Sequence, residues 1–115
     1  MSPENLKKLN KLRKKLDILD NSFIKLIKKR TSLVKQVLEL KESKKQIIDR
    51  KRIKFILNKI RKKSLNNKID PKITNRIWKN MIYSYIDFEK RNFKKKIIIC
   101  YEGVTFFLQK FRAFL

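Results

Sequence analysis

The sequence predicts an all-α fold of three helices, one long and two shorter, in a chain of 115 residues. Three observations predict it. Apolar residues return at steps of three and four through the first forty positions, the period of one helix face. Glycine occurs once and proline twice, so little interrupts a helix. Asp49 and Asp70 each stand just before a stretch of helical periodicity, where a short acceptor side chain serves as an N-cap.

The first helix is read from about Pro3 to Ser43. Its seam is Leu9, Leu12, Leu16, Leu19, Phe23, Leu26, Leu33, Val37 and Leu40. At about 1.5 Å per residue it is a rod roughly 60 Å long, which cannot fold back on itself. Asp49 opens a second helix with Ile53, Ile56, Leu57 and Ile60 on its apolar face, ending in the polar run from Lys62 to Lys68. Asp70 with Pro71 opens the third, since proline at a first helical position loses no hydrogen bond. Ile73, Ile77, Trp78, Met81, Ile82, Tyr85 and Ile86 lie on one side of it. Residues 1–96 form this helical domain. Residues 97–115 differ: three consecutive isoleucines, then Cys100, the only glycine at 103, and four phenylalanines. That tail fits a strand, a turn and a short helix, or an apolar flap.

Composition excludes several chemistries. A single cysteine rules out an internal disulfide, and the absence of histidine removes the commonest metal ligand and general base. Zinc chemistry and Ser-His catalysis are therefore excluded, and no cofactor is expected. The leading residues carry no apolar signal segment, and Glu102, Lys110 and Arg112 interrupt the tail, which argues against a membrane span. The cytoplasm is the simplest address. Three helices of this length enclose a thin core unless two copies associate, so a dimer is expected.

Net charge is +23, yet 25 of the 33 basic residues are lysines scattered along every helix among abundant Ile and Asn. An AT-rich genome leaves that pattern on surface positions. Charge alone licenses non-specific binding and steering of anions. No zinc-finger, RNA-recognition or helix-turn-helix signature accompanies it. A basic helical nucleic-acid-binding protein is the alternative from a different class.

The informative residues are charges on faces that helical spacing turns inward. Arg30 falls on the apolar seam, where an uncompensated cation costs several kcal/mol or more. A carboxylate of the protein or an anionic ligand is expected there, and the chain has only ten acidic residues to offer. Lys41, eleven residues on, is about 20° away in azimuth and roughly 16 Å along the axis, so the two side chains could converge on one small anion. Arg13 lies about 25 Å from Arg30 along the same rod and could join that site only from a second, antiparallel chain. Asp49 and Arg52 bracket the first turn of the second helix, where free backbone N–H groups also favour an anion. Glu89 is in phase with the apolar face of the third helix. Buried there, it stays protonated and donates a hydrogen bond unless a cation such as Arg30 or Lys41 holds it ionised.

Leu12 to Asp20 (LRKKLDILD), Arg30, Lys41, Asp49-x-x-Arg52, Asp70-Pro71 and the helix from Trp78 to Glu89 resemble the all-helical chorismate mutases in order and spacing. The resemblance implies an intertwined homodimer of long paired helices, with each site taking one arginine from the neighbouring subunit. It implies rearrangement of chorismate to prephenate in phenylalanine and tyrosine biosynthesis, a unimolecular pericyclic step without nucleophile or metal. By matching position, Arg13 of the partner chain and Arg30 would hold the substrate carboxylates. Lys41 would donate to the ether oxygen and a carboxylate, Asp49 would receive the ring hydroxyl mainly through its backbone, and Arg52 would complete the cationic wall.

The chain departs from the family pattern at several places. Ile53 stands where a glutamate often contacts the ring hydroxyl, Tyr85 where a serine is common, and Glu89 where a glutamine donates to the ether oxygen. Some relatives carry glutamate there, and it serves only when protonated. The loop from Lys41 to Asp49 is one residue shorter than in some relatives. Tyr85-Ile86 and the aliphatic residue after Arg52 are similar to the isochorismate-pyruvate lyases, which share the fold and the site, and this is the sister-activity alternative. Against it, Asp49 is retained and the ether-facing residue is acidic. Glu102-Gly103-x-Thr105-Phe106 resembles the opening of a prephenate dehydratase domain over too short a stretch to imply that activity.

Overall fold

The computed structural model of the protein describes residues 1–94 and the backbone of two strands, 97–101 and 104–108. In order these form α1 (Pro3–Leu40), a short 3-10 turn (Lys44–Gln46), α2 (Arg50–Asn66), α3 (Pro71–Asn92), β1 (Ile97–Tyr101) and β2 (Val104–Leu108). The three helices match the expected number and order. No described helix is long and apolar enough to cross a membrane.

Local chemistry sets each boundary. The helical ladder of α1 stops at Leu40, short of Ser43, because Lys41 N–H bonds the nearer carbonyl of Leu38 at 3.1 Å and so tightens the last turn. Asp49 caps α2 as the sequence predicts, its Oδ1 accepting from Arg52 N–H at 3.0 Å. Asp70 does the same for α3 through Lys72 N–H at 2.9 Å, with Pro71 first in the helix. Between α2 and α3 the chain turns by a Schellman motif: Ile69 N–H reaches Ser64 O at 2.9 Å and Lys68 N–H reaches Leu65 O at 3.2 Å. That closure puts Lys68 at φ 56, the left-handed region in which a Cβ is strained.

By contacts the chain divides into Met1–Leu33 and Val34–Leu115. The first unit is the amino-terminal stretch of α1. In the second unit Leu38, Ile47, Ile82 and Ile86 are buried together, with Ile53, Ile56, Leu57 and Phe93 packed against them. Buried Ser64 ties α2 to α3: its hydroxyl donates to Ile60 O at 2.7 Å and lies 2.7 Å from the Thr74 hydroxyl.

The core is thin, as the chain length predicts. Along α1, Leu12, Leu16, Leu19, Phe23, Leu26, Leu33, Val37 and Leu40 are all exposed, from 49 % at Val37 to 76 % at Leu40. The apolar side of α3 divides: Ile82 and Ile86 are buried, Trp78, Met81 and Tyr85 half-buried, and Ile73 and Ile77 exposed.

The all-α expectation holds for the helical body and is qualified by the tail, where β1 and β2 pair antiparallel from Ile97↔Leu108 to Tyr101↔Val104. One sequence reading of that segment is a strand, then a turn and a short helix; the structure has a second strand, β2, following the first, and residues 102–103 and 109–115 lie outside the described residues.

Lys68→Gly removes the Cβ from a left-handed position, so it should stabilise the fold by about 0.5–1 kcal/mol. Urea unfolding followed by circular dichroism checks this. A variant less stable than the parent contradicts the assigned Schellman closure.

Candidate active site

The site starts where α1 ends. Beyond Leu40 the chain has no helical ladder to satisfy it, and the side chain of Gln46 compensates: its Oε1 accepts from Glu42 N–H at 2.6 Å and Ser43 N–H at 3.3 Å. Ile47, 3 % exposed, then anchors the loop in the core. These two contacts bring the loop back beneath Lys41.

Lys41 is half-buried, and its Nζ donates to Glu89 Oε1 at 3.1 Å, Glu89 Oε2 at 3.3 Å and Ile47 O at 3.4 Å. Glu89 is buried on α3 at 6 % exposure. Both carboxylate oxygens facing one ammonium is ion-pair geometry. Of the two states open to a buried Glu89, the structure therefore holds the salt bridge with Lys41. The pair joins the end of α1 to α3 within the second unit.

An open cleft of about 590 Å³ lies beside this pair, lined by Val37, Leu40, Lys41, Gln46, Ile48, Asp49, Arg50 and Lys51. Lys41 and Asp49, both singled out from the sequence, thus share one wall. The Asp49 carboxylate is engaged in capping α2, and its carbonyl accepts from Ile53 N–H at 3.0 Å. Arg52 takes another direction: its guanidinium lies 5.3 Å over the Phe55 ring, which also has Lys59 Nζ at 5.8 Å. Tyr85 is half-buried on α3, edge-on to Phe88 with ring centres 6.5 Å apart. Arg13 and Arg30 belong to the first unit, where Arg13 is exposed and Arg30 half-buried on α1.

The structure thus joins Lys41 to Glu89 and brings Asp49 to the lining of the same cleft as Lys41. Gln46, Arg50 and Lys51 line the cleft without having been singled out. Gln46 had a signal, since Ser43-Lys44-Lys45-Gln46 has the S-x-x-Q spacing of a capping box. Chemically the cleft presents the Lys41 ammonium, held by Glu89 and the Ile47 carbonyl, together with Arg50 and Lys51, a basic lining that attracts anions.

The helices and their basic cleft describe an all-helical body with a candidate ligand site, and comparison with known proteins gives the family. The family model for chorismate mutase type II matches residues 12–90, and the chain belongs to that family. It is 38 % identical over 78 residues to a protein named chorismate mutase from Methanocaldococcus jannaschii, covering 67 % of this chain and 79 % of the relative. No solved structure matches the chain.

Lys41→Met leaves the buried Glu89 carboxylate without its ammonium and should cost about 3 kcal/mol of stability. The double variant Lys41→Met/Glu89→Leu should recover most of that loss, because two apolar groups replace two charges. Denaturant unfolding of both variants checks the pair. Equal destabilisation by the single and double changes contradicts it.

Proposed function

We propose that this chain is a chorismate mutase that rearranges chorismate to prephenate through the cleft beside Lys41. Membership of the family carries the reading, and the buried Lys41–Glu89 pair at the cleft supports it. Neither the isochorismate-pyruvate lyase alternative nor the nucleic-acid-binding alternative is favoured by the family match or by the archaeal relative. Residues 1–96 supply the catalytic domain, and 97–115 form a tail outside it. The address that suits this step of aromatic amino acid biosynthesis is the cytoplasm.

The reaction is intramolecular: one C–C bond forms as the ether C–O bond breaks, with no proton gained or lost overall. The protein has two tasks. It holds a dicarboxylate in the compact diaxial shape, and it stabilises negative charge growing on the ether oxygen. Arg30 and Arg13 take the carboxylates, with Arg52 completing the cationic wall and Tyr85 closing the α3 side. Lys41 donates to the ether oxygen and a carboxylate, and the Asp49 backbone receives the ring hydroxyl.

Glu89 holds the Lys41 ammonium in place with its carboxylate, and in its protonated form it serves as an O–H donor to the same ether oxygen.

The active molecule is a homodimer in which Arg13 reaches the site of its neighbour. The exposed seam of α1 supports this, because eight large apolar side chains facing water gain about 1.5–3 kcal/mol each on full burial. Arg13 and Arg30, too far apart on one rod to meet, then meet across two.

Purified protein is expected to convert chorismate to prephenate without added metal, resolved by chromatography. Lys41→Ala and Arg30→Ala should each lower kcat/KM by about a hundredfold or more with helical signal retained, the effect of losing one donor worth roughly 3 kcal/mol. Full turnover by Lys41→Ala rejects the site. Glu89→Gln, which keeps a hydrogen-bond donor for the ether oxygen, should retain turnover, whereas Glu89→Ala should lower it by about a hundredfold; equal losses in both variants reject the donor role. Mixing inactive Arg13→Ala and Arg30→Ala chains should restore about a quarter of the activity, one intact site in half of the dimers. A mixture that stays inactive rejects the shared site.

A further inference from the structure

The loop between Lys41 and Asp49 has a fastener of its own, and it is a side chain. Glu42 and Ser43 follow the last residue of α1, and a single carboxamide oxygen, Gln46 Oε1, accepts both of their N–H groups at 2.6 and 3.3 Å. The residue next to Gln46 is Ile47, buried in the core, whose carbonyl accepts from Lys41 Nζ at 3.4 Å. Gln46 also lines the cleft together with Lys41 and Asp49. It therefore closes a short ring of hydrogen bonds with the ammonium on the far side.

We infer that Gln46 is a positioning residue for Lys41: by clamping the Glu42 and Ser43 amides it fixes the Ile47 carbonyl against which the ammonium is aimed. This deepens the mutase reading and rests on it for its kinetic arm. The 3-10 turn from Lys44 to Gln46 holds itself by Gln46 N–H to Ser43 O and Ile47 N–H to Lys44 O, both at 3.1 Å. Those bonds shape the turn, but they leave the Glu42 and Ser43 amides to the side chain. Without it, the two N–H groups turn to water and the path from α1 to Ile47 loosens, while the buried Ile47 and the Asp49 cap stay in place. The expected defect is thus confined to the aim of Lys41.

Two substitutions separate positioning from bulk. Gln46→Met keeps the length and removes the acceptor, whereas Gln46→Glu keeps an oxygen for both amides but adds a negative charge to the cleft. Amide hydrogen exchange at Glu42 and Ser43, measured by NMR on the full chain, should accelerate at least tenfold in Gln46→Met and stay near wild type in Gln46→Glu. In chorismate turnover, Gln46→Met should lose about tenfold in kcat with KM little changed. Gln46→Glu should keep kcat within about twofold and raise KM severalfold, because its charge repels a dianion.

Wild-type exchange or wild-type kcat in Gln46→Met overturns the inference, as does an equal loss of kcat in both variants. A wild-type protein with no turnover of chorismate defeats the functional reading and the catalytic consequence with it. The exchange data still decide the clamp in that case, so the two failures are distinguishable.

Discussion

A buried ion pair sets the terms for the second unit of this molecule, Val34–Leu115. Glu89 is buried on α3, and a buried carboxylate without a compensating charge is among the most costly things a small core can contain. Lys41 supplies that charge from the first position after α1. The loop that follows must then return to the same place. Ile47 enters the core, its carbonyl takes a further bond from the ammonium, and Asp49 starts α2 directly afterwards. The cleft is the space these constraints leave beside the pair.

The reach of that pair is local, and the long helix obeys a different demand. Its seam leaves eight large apolar side chains exposed among the described residues. In the proposed homodimer a second copy of the chain covers that seam and brings the second arginine. The charge of +23 fits the same picture more readily than a nucleic-acid surface does. Lysines scattered on solvent-facing positions draw a small dianion toward the protein by long-range attraction, whereas the discriminating contacts need only a few fixed groups.

Much of the fold was legible because its signals are local. Asp49 and Asp70-Pro71 mark helix starts through bonds made within three residues, and the period of the Leu seam needs no partner to be read. The sequence period runs on to about Ser43 but the helix ends at Leu40, where Lys41 N–H turns to the Leu38 carbonyl and the side chain of Gln46, six residues beyond Leu40, takes the amides of Glu42 and Ser43. In the site, helical phase pointed Lys41 and Glu89 inward, but phase cannot say which inward charges meet across 48 residues of sequence. The ion pair was only one of the outcomes that the sequence left open. Arg52 shows the reverse case: Phe55 lies three positions along the same helix face, so their cation–π contact is local and legible in the sequence. Tyr85 and the exposed Ile73 and Ile77 belong to one sequence period, yet only the three-dimensional packing divides that period into buried, half-buried and open positions.

The Lys41–Glu89 ion pair is the contact on which the cleft and its loop depend. A double-mutant cycle by urea unfolding, run on the wild-type protein, Lys41→Met, Glu89→Leu and the double variant, measures the coupling of the two groups most directly. A coupling energy of about 1–3 kcal/mol is the predicted result, and simply additive losses would contradict it.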